Sequence, residues 1–116
     1  MSNLNAQSFD SSINGFVFSK NTEKVILKFR SGASSLKLNS DNYVVVTLEN
    51  IDKNTTSFIG KSIRSIDSKN LTKSQMLLKI LPTEENIKND KFVLLMSYKS
   101  VEKFEIFEFH LPVDKD

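Results

Sequence analysis

The chain has 116 residues, 39% of them apolar and 26% charged, with a formal net charge of +2. That length and balance describe a single globular domain and exclude a disordered chain. Without cysteine there is no disulfide framework and no thiolate chemistry, and with one histidine there is no zinc ligand set, so neither metal nor cofactor is expected.

Residues 1–14 are rich in Ser and Asn and lack periodicity, so a flexible arm is expected, with Phe9 and Ile13 able to pin it to the body. The first residues have no basic start and no apolar stretch, and nowhere does an apolar run approach the roughly 18 residues of a spanning helix. The expectation is an intracellular protein, cytoplasmic or nuclear, with no membrane partner. Asn54 and Asn70 open Asn-x-Thr patterns, which read as chance in an Asn-rich chain.

A β domain is expected over residues 15–112, with a tail over 113–116. Asn14-Gly15 suits a turn. Phe16-Val17-Phe18 reads as a short strand. Residues 24–30 alternate, with Val25, Leu27 and Phe29 on one face and Lys24, Lys28 and Arg30 on the other. Leu36 and Leu38 give a brief strand between polar turns. Residues 43–48 are β-branched and apolar on both faces, the pattern of a central strand covered on two sides.

Residues 58–66 fit one strand better than a helix, being β-branched and containing Gly60. Residues 74–81 fit two readings. As a strand, Met76, Leu78 and Ile80 share a face. As a helix, Met76, Leu77, Ile80 and Leu81 form a stripe, and a short helix over 72–81 is the alternative. Thr83 followed by Glu84 and Glu85 suits a capped helical turn. Residues 91–98 form a second strand apolar on both faces, and residues 104–111 pair back on it as a hairpin.

In that last run Phe104 and Ile106 point one way, while Phe107, Phe109 and Leu111 point the other. A β-bulge near Ile106-Phe107, or a strand bent between two sheet regions, would account for the change of side. The fold class is therefore all-β, a small antiparallel sandwich or partly open barrel of about seven or eight strands.

The catalytic inventory is thin. There is no Gly-rich phosphate loop and no nucleophile elbow. Glu108 and His110 share a strand face and form the one enzyme-like pair, suited to acid-base work on a phosphodiester, but the expectation is that they are simply the exposed face of a terminal strand. The expectation is no enzyme.

Charge is distributed unevenly. Residues 53–79 carry Lys53, Lys61, Arg64, Lys69, Lys73 and Lys79 against Asp67, whereas residues 80–116 carry eight acids against five lysines. The basic segment, with Phe58 as a stacking ring, fits a barrel that binds single-stranded nucleic acid. The leading expectation is a non-catalytic interaction module, an accessory or structural subunit, that binds a protein partner or self-assembles through a sheet edge. Residues 24–29 and 104–111 are the candidate edges.

Overall fold

A computed structural model of the chain describes residues 7–20, 22–66, 68–100 and 103–115. These residues form eleven strands: β1 (Gln7–Asp10), β2 (Gly15–Lys20), β3 (Glu23–Phe29), β4 (Leu36–Lys37), β5 (Asn42–Glu49), β6 (Ser57–Ile59), β7 (Ile63–Ile66), β8 (Gln75–Ile80), β9 (Ile87–Lys88), β10 (Lys91–Ser100) and β11 (Lys103–Asp114). A six-stranded sheet has the order β1-β2-β3-β5-β8-β7. It faces a second sheet of order β4-β11-β10-β6, with β9 also on β10. One sheet curls into a half-barrel. The class is the all-β sandwich or partial barrel expected. No helix among the described residues is long and apolar enough to cross a membrane.

Alternation explains the core. Phe16, Phe18, Val25, Leu27, Phe29, Val44, Val46, Leu48, Leu78 and Ile80 point inward from the larger sheet, and Phe92, Leu94, Met96, Tyr98, Phe107, Phe109, Leu111 and Val113 from the smaller. Rings join the two layers. Phe18 stacks on Phe107 at 4.1 Å and meets Phe109 edge-on at 5.0 Å, and Tyr98 meets Phe107 edge-on at 5.0 Å. The buried Tyr98 hydroxyl donates to a Glu23 carboxylate oxygen, so this polar tip is satisfied at the edge of the core.

Several expectations change. Residues 7–10 of the expected arm form β1, paired with β2, while residues 1–6 lie outside the described ones. At the other end β11 runs into the expected tail as far as Asp114, and Val113 pairs with Leu36. Residues 43–48 are central in their sheet but covered fully on one face only: Val44, Val46 and Leu48 are buried, and Tyr43, Val45 and Thr47 half-buried. The helix alternative for 72–81 is not adopted. Residues 75–80 are β8, held between β5 and β7, because Leu78 and Ile80 complete the inner layer.

The run 58–66 is two strands in different sheets. The chain crosses between them at Gly60, whose φ of +155° favours glycine and where a Cβ would stand 2.7 Å from the Ile63 side chain. Thr83 caps the expected turn, a 3-10 helix over Glu84–Asn86. Asn14 takes a positive φ of 52° in the first turn.

β11 carries no bulge. Its register with β10 is continuous from Lys91↔Pro112 to Ser100↔Lys103. The sequence's change of apolar side is met by leaving Phe104 67% and Ile106 58% exposed on the outer face.

Candidate interaction site

Among the described residues the flank of β11 away from β10 is largely open, and its only strand neighbour there is β4, at Val113 and Asp114. Backbone direction follows from two contacts. The Val113 N–H donates to the Asp90 carbonyl on the β10 side. His110 faces the opposite flank, where its N–H donates to Gln7 Oε1 at 2.7 Å and its carbonyl accepts from Gln7 Nε2 at 2.8 Å.

Since direction alternates along a strand, Phe104, Ile106 and Glu108 also turn their N–H and C=O groups to the open flank. Among the described residues nothing bonds them there. The Gln7 amide imitates a neighbouring strand for one residue and stops. Side chains of the same parity point outward, so open backbone coincides with exposed Phe104 and Ile106.

This places the two expected edges differently. β3, holding residues 24–29, is enclosed by β2 and β5 and is no edge. The 104–111 run is an edge over most of its length. Proteins usually blunt such edges with bulges, brevity or central lysines. Here a twelve-residue strand is bulge-free and carries lysine only at Lys103.

Glu108 and His110 do share a face. His110 Nε2 lies 3.5 Å from Glu108 Oε2, with the side chains 53% and 55% exposed. The pair is open to solvent on a flat strand, and neither residue lines the clefts described below. Among the described residues no three His, Asp or Glu side chains converge.

The basic segment divides. Lys61, Arg64 and Lys79 line one open cleft with Asp41, Ser62 and Leu81. Lys53 and Lys69 line a second cleft beside Leu71 and Leu77. Lys53 and Lys73 line a third with Asp52. Asp67 lies outside the described residues. Phe58 is a correction: it is half-buried, packs on the core and pairs with the inward-facing Met96, so its ring is no stacking platform.

Sheet register adds two residues that the sequence did not single out. The Arg30 N–H donates to the Tyr43 carbonyl at 2.8 Å, Tyr43 pairs with Lys79, and Lys79 pairs with Arg64. Arg30, Tyr43, Lys79 and Arg64 thus form one row across four neighbouring segments on the outer face. The Arg30 guanidinium lies over the Tyr43 ring, 4.5 Å from its centroid. Both line a cleft of about 440 Å³ that Lys37 and Asp41 share. The outward phase of Arg30, legible from its alternation with Lys24 and Lys28, was the one available signal.

Set beside known proteins, the chain matches no family model, no curated protein and no solved structure.

Proposed function

We propose that the chain is a non-catalytic interaction module that self-assembles by strand addition along the open flank of β11, with a second copy of the same strand as occupant. The observation that supports it is the coincidence at Phe104, Ile106 and Glu108 of unpaired backbone with outward, partly apolar side chains. Unpaired alternating N–H and C=O groups are complementary to extended polypeptide. The chain carries its own complement, because an antiparallel copy centred on Ile106 sets Ile106 against its counterpart and Phe104 diagonal to it. Such a contact is isologous and closes as a dimer. Five residues of pairing span about 17 Å at roughly 3.4 Å each.

Sedimentation equilibrium across a concentration series tests this. The wild-type chain is expected to dimerise, and Ile106→Lys to be monomeric, with the two melting temperatures alike below the concentration at which the wild type associates. A wild-type chain that stays monomeric, or an Ile106→Lys chain that still dimerises, overturns the reading. A synthetic peptide of residues 103–111 supplies the same strand and is expected to dissociate the dimer; a dimer that an excess of this peptide leaves intact places the contact elsewhere and overturns the second copy of β11 as occupant.

A further inference from the structure

On the larger sheet, away from β11, we infer a binding site for single-stranded nucleic acid along the row Arg30–Tyr43–Lys79–Arg64. Three observations converge on it. The first is charge. Arg30, Arg64 and Lys79 form no ion pair among the described residues, and the two clefts along the row hold Lys37 and Lys61 as well. Among the described residues Asp41 is the only carboxylate lining either cleft. Like charges held on adjacent strands repel and oppose folding, so an anion laid along the row relieves a tension built into the register.

The second observation is shape. Neighbouring strands lie about 4.8 Å apart, so the row extends roughly 14 Å, a length suited to a few consecutive phosphates rather than one small anion. The third is the flat pair at one end. Arg30 is exposed and lies over the half-buried Tyr43. Arginine planes and aromatic rings are the groups on which unstacked bases settle. An anionic membrane is served by the cations alone, whereas an unstacked base also needs a plane to settle on, so the pair favours nucleic acid. The site differs from the basic segment read in the sequence: it excludes Lys53, Lys69, Lys73 and Phe58, and adds Arg30 and Tyr43.

Fluorescence anisotropy with labelled oligo(dT) and oligo(U), over a salt series, tests the site. Three phosphate contacts to a single strand predict a slope of log affinity against log salt near −2. Arg64→Gln/Lys79→Gln should reduce its magnitude by about 1.4. Lys53→Gln/Lys69→Gln removes the same charge elsewhere and should leave the slope unchanged. Arg30→Lys keeps the charge and loses the plane, so affinity should drop at least about fivefold with the slope preserved.

No binding of either oligonucleotide at low salt overturns the inference. So does a slope that responds equally to both double substitutions. Binding to phosphatidylserine vesicles that depends on Arg64 and Lys79, and that oligonucleotides do not compete away, assigns the row to a membrane and overturns it too.

Discussion

Adjacent residues on β11 should respond in opposite ways to truncation, and the difference tests its unbroken register. Phe107 is 1% exposed and packed between Phe18 and Tyr98, whereas Ile106 is 58% exposed. A buried aromatic ring removes about 150–250 Å² from water, about 4–6 kcal/mol at roughly 25 cal/mol per Å² and an upper figure. Core Phe→Ala substitutions cost about 3–5 kcal/mol, so Phe107→Ala should fall in that range. A chain of this size has a total stability of roughly 6–17 kcal/mol, so the loss is a large fraction of it. Ile106→Ala gives up less than half of an Ile burial and should cost under about 1 kcal/mol. The assay is urea unfolding followed by far-UV circular dichroism, below the concentration at which the chain associates. Comparable costs at the two positions would refute the register and restore a bulge at Ile106-Phe107.

Gly60→Ala meets both a positive φ and the Ile63 side chain 2.7 Å from the new Cβ, so it should lose about 1–3 kcal/mol in thermal unfolding; no loss would show that the sheet crossing does not need glycine. Burial, and then its hydrogen bond to Glu23, raise the Tyr98 hydroxyl well above its ordinary 10.0. With the folded pKa above the unfolded one, stability is fully present below about pH 10 and is lost as pH rises toward the folded value. Tyr98→Phe should therefore lower stability at neutral pH yet flatten its decline above pH 10, and an unaltered alkaline limb in urea titrations would refute that origin.

The parts of the fold legible in sequence are those set by local alternation. Residues 24–30 show their inner face directly, and β3 follows; residues 91–98, apolar on both faces, read as a strand, but only its partners make Phe92, Leu94, Met96 and Tyr98 the inner face of β10. Residues 74–81 are apolar on adjacent positions, which imitates helical spacing. The ambiguity arises because Leu78 and Ile80 fill the core while Leu77 is buried on the outer side of the same strand. Only the partner strands β5 and β7 decide it. The run 58–66 looked like one strand because nothing local marks which sheet a residue joins. Among site residues, the edge at 104–111 was legible as an apolar strand. Its openness depends on how little of β11 is covered by β4, which is a tertiary fact. Arg30 and Tyr43 were missed because they belong to different strands and meet Lys79 and Arg64 only through register.

Backbone direction along β11 can be tested apart from its side chains. Even-numbered residues turn their N–H to the open flank and odd-numbered ones to β10, as the bonds of His110 to Gln7 and of Val113 to Asp90 establish. Proline removes an N–H, so its cost relative to alanine at the same position reports whether that N–H was bonded within the sheet. At Glu105, which faces β10 with its backbone and Lys20 at 2.7 Å with its carboxylate, alanine removes the ion pair in both comparisons. Glu105→Pro should then cost about 1–3 kcal/mol more than Glu105→Ala, the loss of a ladder hydrogen bond that leaves the Tyr98 partner unpaired. Glu108→Pro should stay within about 1 kcal/mol of Glu108→Ala in the monomer, since no sheet bond is lost. It should nevertheless abolish dimerisation, because the missing donor lies on the flank where the second strand adds. Equal proline costs at the two positions would mean that both flanks of β11 are already paired, and the open edge would cease to exist as a site.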